Sequence, residues 1–294
     1  MQKTILVIGA TGTLGEPVAR CLKEDGFHVR VLTRDKNKAK KLFDESFEIT
    51  EGNVTDVQSL EQPLKGCWGV HINLTPPAVE ELGVKNVISV AFKKEIKRIT
   101  YVSADDVVEE YVEWFPPFTH KLHSEQLIRE SRISYTIFSP TSSMEALPMF
   151  VMGGKAGVLG KQSKPYHWFA GDDLGRMVST AYQLQEAVNK KFFIHGPEGI
   201  LLHEALGRYC SLFHPEIKKI STMPYWLVNF IATITNNKEM RFASKLLVYC
   251  EKTGEYGDPR EANSILGGPK ITLDAWLAAK KAKSLRRRSF RNEE

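Results

Sequence analysis

The sequence predicts an α/β fold, a doubly wound parallel sheet with a small, mostly helical C-terminal lobe. Three observations carry that prediction. Short aliphatic runs alternate with amphipathic stretches of helical period through the first two-thirds of the chain, the early runs show almost no polar alternation, and glycines mark the first junction between run and helix. Strands buried on both faces read as continuous apolar runs, and strand–helix alternation implies βαβ units with right-handed crossovers.

The elements follow in order. "TILVI" (Thr4–Ile8) is the first strand, and "GATGTLG" follows it directly. Leu14, Val18, Ala19 and Leu22 then fall on one face of a helical stretch, with Glu16, Arg20, Lys23 and Glu24 elsewhere. Further strands are expected at "HVRVLT" (His28–Thr33), 47–50, 69–74, 98–103, 135–139 and 191–196, with helical stretches that include 80–95 and 120–132. From about Ser139 the rhythm breaks into glycine, proline and methionine. After 198 the patterns "LLHEALGRYCSLF", "YWLVNFIATIT", "KEMRFASKLLVYCEK" and "TLDAWLAAKKAK" are helical. The expected organisation is a sheet domain over 1–198, including a pocket-lining segment at 139–170, and a helical lobe over 199–294 packed on it.

Composition narrows the class. Hydrophobic residues at 42% and charged residues at 26% are ordinary for a globular chain, and a net charge of +5 is too small to point to nucleic acid. Cys21, Cys67, Cys210 and Cys250 lie far apart, with no CxxC and no histidines at ligand spacing. They read as free thiols in a reducing compartment, and no metal site is expected. The N-terminus begins directly on a strand, and no signal peptide is expected. The longest apolar stretch, "YWLVNFIATI" (Tyr225–Ile234), is interrupted by Asn229 and too short for a membrane span. A cytoplasmic location is therefore expected. The tail "KKAKSLRRRSFR" reads as the cation-rich end of a last helix, and attraction to membrane or nucleic acid is its second reading.

The glycine junction carries the chemistry. A strand-to-helix turn leaves the first helical N–H groups unpaired, and with the helix dipole they form an anion site. Gly9, Gly12 and Gly15 let the chain turn tightly, approach a pyrophosphate and pack helix on strand, with Thr11, Thr13 and Leu14 between them. The end of the second strand then selects the dinucleotide. An acid there would favour NAD, but "TRDK" places Arg34 first, suited to pairing with a 2′-phosphate. NADP is expected, and NAD remains open should Asp35 occupy that corner. "EGNVTD" places Asn53 and Val54 beside the adenine, and "NLTPP" places Leu74 and Thr75 near the second ribose. Both are also ordinary strand-end turns.

At this point "ILVIGATGTLG", "VRVLTR", "EGNVTD", "RITYVSAD", "HKLHSEQLIRESRISYTIFSP" and "FFIHGPEGI" together resemble the NmrA-like branch of the atypical short-chain dehydrogenase/reductases, over most of residues 1–200. The resemblance implies a Rossmann-like sheet, NAD(P) binding and a small C-terminal lobe shaping a substrate pocket. In the wider superfamily a Tyr gives a proton as hydride arrives, a Lys four residues on holds the ribose, and a Ser orients the carbonyl. By motif, Ser103 takes the Ser position and Lys121 the Lys position. Pro117 stands four residues before Lys121 and has no proton to give, and no Tyr in the chain has a Lys four residues later.

That gap leaves three readings: an NADPH-dependent reductase of a small apolar acceptor such as a quinone or a conjugated dye, a redox sensor that binds a protein partner, or a scaffold that keeps the nucleotide as a structural ligand. For a reductase, His120, His123 or Tyr111 would supply protons; the plain alternative is that both histidines are surface helix residues. Met144, Phe150, Tyr166 and Trp168 belong to a Met- and aromatic-rich set past the sixth strand, read as substrate lining or as core.

Overall fold

The computed structural model describes residues 2–75, 77–105 and 107–291. The chain opens with β1 (Thr4–Ile8), α1 (Gly15–Glu24), β2 (His28–Thr33), α2 (Lys36–Leu42), β3 (Glu48–Glu51), α3 (Val57–Leu60), β4 (Gly69–Ile72) and α4 (Pro77–Lys93). It continues with β5 (Arg98–Val102), α5 (Glu109–Val112), α6 (Pro117–Glu130) and β6 (Ser134–Pro140). After a 3₁₀ turn at Met144–Phe150 come β7 (Val151–Met152), β8 (Lys155–Leu159), β9 (Tyr166–His167), α7 (Gly171–Gln183), β10 (Lys190–Ile194) and β11 (Gly199–Ile200). The remainder is α8 (Leu202–Phe213), β12 (Ile220–Met223), α9 (Tyr225–Ile234), α10 (Lys238–Thr253), α11 (Arg260–Leu266) and α12 (Leu273–Arg291).

Contacts divide the chain into two compact units, each discontinuous in sequence. The first comprises Met1–Pro140, Gly171–Ile194 and Gly257–Gly268. Among the described residues its seven strands form one sheet in the order β10-β6-β5-β4-β1-β2-β3, parallel at every pairing. The apolar runs have the burial their composition implies, since every residue of β4 and β5 is buried. On one face, Leu6, Ile8, Val70, Ile72, Ile99 and Tyr101 pack with Val84, Val87 and Val90 of α4 and Ile128 of α6. Elsewhere in the unit α1 buries Val18, Ala19 and Leu22 and packs on α7, where Tyr182 meets the rings of Phe27 and Trp68. Strand order reverses between β1 and β4. In open α/β sheets such a switch point opens the crevice where ligands bind.

The second unit comprises Thr141–Ala170, His195–Tyr256 and Pro269–Glu294. β7 and β8 form an antiparallel pair, β12 adds to β8 in parallel, and β9 pairs antiparallel with β11. α8 and α12 pack together over a core that includes Leu147, Val158, Leu206, Trp276 and Leu277.

Where the sequence places one boundary at 198/199, the contacts put 141–170 in the second unit and return 257–268 to the first. The reason is local. α11 packs on β10 and α7, Arg176 of α7 donates to the carbonyls of Leu266 (2.9 Å) and Gly268, and the Gly257 N–H donates to Asp105 (3.2 Å).

Candidate functional site

The β1–α1 turn lies at the switch point of the first unit. Gly9 has φ +82°, and a Cβ there would lie 1.9 Å from the Asn73 carbonyl oxygen, so the turn after β1 runs against the loop after β4 with no room for a side chain. A Cβ at Gly15 would meet the Gly9 carbonyl oxygen at 2.1 Å. Gly12 is looser, with 3.1 Å to that same oxygen and its N–H donating to it at 2.9 Å. α1 begins at Gly15 with Leu14 as its N-cap and no side-chain cap; the Glu16 N–H donates to the Gly12 carbonyl at 3.2 Å and Pro17 has no N–H, so of the first turn the Gly15 N–H is left to a ligand or to water. Gly12 and Thr13 are exposed, and Thr11 and Leu14 are half-buried. This is a cradle that a Cβ would fill, and it fits a pyrophosphate.

At the end of β2 the strand stops at Thr33, and Arg34 is exposed. Asp35 is committed elsewhere. Its carboxylate caps α2 by accepting from the Lys38 N–H at 3.0 Å, and its own N–H donates to Thr33 Oγ1 at 3.0 Å. The Asn53 side chain accepts from the Thr55 N–H at 3.1 Å, and its backbone is tied to Ser59. Val54 and Leu74 are buried in the core at 7% and 8% exposure, so either would reach a ligand by its backbone; Thr75 is exposed.

Lys121 projects from α6 onto Glu80 of α4, Nζ to Oε1 2.6 Å, and also donates to the Val102 carbonyl at 3.3 Å. Glu80 is 1% exposed at its side chain. Tyr101 donates to the same Oε1 at 2.5 Å, while Oε2 has no partner. Tyr101 does not replace the missing tyrosine, because its ring is wholly buried and burial, then the Glu80 carboxylate, push its ionisation far up. Ser103 donates from Oγ to Glu125 Oε1 at 2.5 Å. Glu125, on α6 and 1% exposed, also takes Lys191 Nζ at 3.0 Å and Arg129 at 3.0 Å. Beyond the i, i+4 pair with Arg129 that the sequence shows, it is a buried junction of three side chains. His120 and His123 share Glu81, at 2.8 and 3.6 Å, and the His120 bond chiefly holds the Glu81 carboxyl below its usual range. Tyr111, on α5, stacks on Trp114 with centroids 5.3 Å apart.

In the second unit Met144, Tyr166 and Trp168 are gathered as core, at 1%, 6% and 3% exposure, with Phe150 partly buried against them. Trp168 Nε1 donates to the Ile200 carbonyl at 3.0 Å, which satisfies its one polar group inside that core.

The sequence shows no grouping of metal-ligating residues, and here the fold corrects it. His167, His195 and Glu255 offer donor atoms within 4.8 Å of one another. In this structure they form a hydrogen-bonded cluster. Glu255 accepts from the His167 backbone N–H at 2.5 Å and pairs with its Nδ1 at 2.6 Å, while His195 Nδ1 stands 3.9 Å away. Their separation along the chain hides them from any spacing rule, as does the 41-residue gap between Glu80 and Lys121.

The first unit thus has the architecture of a dinucleotide-binding α/β domain, with the glycine cradle at its switch point. The chain belongs to the NmrA-like family, whose model matches residues 1–284. Among curated relatives it is 23% identical to the photosystem II assembly factor Ycf39 of Trieres chinensis over 243 residues, 79% of this chain and 75% of that one. It is 26% identical to an NAD(P)H azoreductase of Xenophilus azovorans over 151 residues, half of each chain. Among solved structures it shares its fold with an NADPH-dependent quinone oxidoreductase from Escherichia coli solved with NADPH. That match has a TM-score of 0.76 at 17% identity and covers 94% of this chain and 99% of that one.

Proposed function

We propose that this chain binds NADP(H) at the β1–α1 turn and reduces a flat, apolar acceptor of quinone or azo type. The observation that carries the reading is the corner after β2. Arg34 is exposed there, while the acid beside it is consumed as the α2 cap and so does not compete for a ribose 2′-hydroxyl. Gly9, Gly12 and Gly15 bring the backbone to the pyrophosphate, the α1 N-terminus supplies N–H donors, and Arg34 pairs with the 2′-phosphate. Lys121 is the candidate ribose contact, held by Glu80. The nicotinamide, when bound, supplies hydride. Pro117 suits an acceptor that needs little acid catalysis, because a reduced quinone takes its protons from water or from an exposed imidazole such as His120 or His123. The azoreductase and quinone oxidoreductase similarities support this class.

A second reading is a nucleotide-binding assembly or sensor protein without turnover. Pro117 favours it, as does the similarity to an assembly factor.

The test is NADPH and NADH binding to the purified chain, with NADPH oxidation followed over a panel of quinones and azo dyes. We expect NADPH to bind tighter than NADH and to be consumed with at least one acceptor, and Arg34→Asp to reverse the preference. Unchanged discrimination in Arg34→Asp removes Arg34 from the site. Tight NADPH binding without turnover across the panel selects the second reading.

A further inference from the structure

Helices α9 and α10 of the second unit present an exposed apolar face. From Ile220 to Asn237 no residue is charged, while Lys218 and Lys219 precede this run and Lys238, Glu239, Arg241 and Lys245 follow it, three cations against one acid. Within the run α9 turns Val228 and Ala232 inward and leaves Trp226, Phe230 and Ile234 at 69%, 59% and 69% exposure. Those three stand at i, i+4 and i+8, one above the other on a single line. Phe242 of α10, the helix packed on α9, adds a further ring at 40% exposure. A surface helix of a globular protein normally turns one apolar stripe inward and a polar face outward. Here the outward face is uncharged, with Asn229 and Thr233 as its polar residues beside the aromatic row, and an exposed aromatic row of this kind marks a contact surface.

Length and charge identify what the surface meets. A helix of ten residues rises about 15 Å, half of a hydrocarbon core of about 30 Å. No helix among the described residues is long and apolar enough to cross a membrane, and a ten-residue helix that meets a bilayer lies in its interface. Lys238, Arg241 and Lys245 are exposed and spaced i, i+3 and i+7, on one side of α10. An aromatic row beside a cation row complements acyl chains beneath anionic headgroups. A second copy fits less well, because a two-fold contact would bring two sets of these cations into one interface.

We propose that the α9–α10 face docks on an anionic membrane surface. Trp226, Phe230 and Ile234 sit at the headgroup–acyl boundary, and Lys238, Arg241 and Lys245 sit against lipid phosphates.

The experiment is flotation of the full chain with vesicles of phosphatidylcholine alone and with phosphatidylglycerol added, with oligomeric state measured by sedimentation. We expect binding to the phosphatidylglycerol vesicles, weakened by added salt and at least tenfold weaker on phosphatidylcholine. Trp226→Ser with Phe230→Ser should weaken it at least tenfold, and Lys238→Glu with Arg241→Glu by a similar factor, with thermal unfolding unchanged in both because the altered side chains are exposed. Absence of flotation overturns the proposal, as does flotation that ignores both variants. A dimer that Trp226→Ser with Phe230→Ser dissolves overturns it too, in favour of a self-interface. None of these readouts depends on dinucleotide binding or turnover.

Discussion

Lys121 shows how much one side chain depends on a partner far away in the chain. Its amine meets Glu80, a carboxylate 1% exposed that, among the described residues, has Tyr101 as its other polar contact, on the same oxygen. Losing one member of a buried pair strands the other, which costs about 3–5 kcal/mol, whereas replacing both by uncharged groups of similar size costs much less. Lys121→Met should therefore lower stability by about 3 kcal/mol or more, and Glu80→Gln with Lys121→Met should recover most of it. Urea midpoints of the wild type, both single variants and the double variant check this; additive losses would show that the pair is not coupled. The sequence could supply Lys121 through its family position. It offered no route to Glu80, because nothing in "AVEELG" separates a buried glutamate from the solvated one beside it. Glu125 is the same case, its Arg129 neighbour visible at i, i+4 and its Ser103 and Lys191 contacts not.

At the scale of elements, legibility followed locality. The β1–α1 turn is legible because its strand, its glycines and its helix follow one another directly in the sequence; the carbonyl of Gly9 that denies Gly15 a Cβ is local, while the Asn73 carbonyl that denies one to Gly9 comes from the loop after β4 and is not. The strands of the sheet were readable from aliphatic runs, with ends shifted by one or two residues. The pairing of α7 with α1 is not legible in the sequence, since residues that meet across it, such as Cys21 and Asp172, lie 151 positions apart. The contact between the two helices rests on Gly175, where a Cβ would lie 2.8 Å from the Pro17 carbonyl oxygen and 2.9 Å from Cys21 Sγ. Gly→Ala inside a helix gains about 1 kcal/mol of propensity. Against it stands a methyl group driven into backbone of α1, and overpacking of this kind costs about 1–3 kcal/mol. Since a backbone oxygen cannot swing away, the clash should win. Gly175→Ala is expected to lower the urea midpoint, and a raised midpoint would show that α1 and α7 separate freely. The same methyl would press on the helix that carries the glycine cradle, so cofactor affinity should fall with stability.

The whole molecule's response to acid depends on a group that the sequence left inside a strand. His71 of β4 is fully buried, with Nδ1 2.8 Å from Thr100 Oγ1, which in turn lies 2.9 Å from the Tyr182 hydroxyl on α7; Nε2 has no partner. Burial alone pushes the imidazole down from 6.5 to about 3, so it stays neutral in the folded chain through the mildly acidic range. The unfolded chain exposes it and binds a proton below about pH 6.5. The folded value is therefore the depressed one. Its stabilising contribution is complete above pH 6.5 and is lost as pH falls toward 3, with a slope approaching 1.4 kcal/mol per pH unit by order of magnitude. Carboxylates held below their usual range, such as Glu48 beside Arg30 and His28, add to acid sensitivity only lower, from about pH 4.5 downward. The window between pH 6.5 and 4.5 thus isolates His71 from them. His71→Leu fills the site with an apolar side chain and leaves Thr100 its bond to Tyr182. It removes the titrating group whatever it does to absolute stability at neutral pH. The unfolding free energy of the wild type minus that of the variant, measured at intervals across that window, should fall as pH falls, by about 1 kcal/mol per unit once below 6. A constant difference would mean that the buried imidazole takes up its proton without unfolding the sheet, and His71 would then carry no part of the acid response.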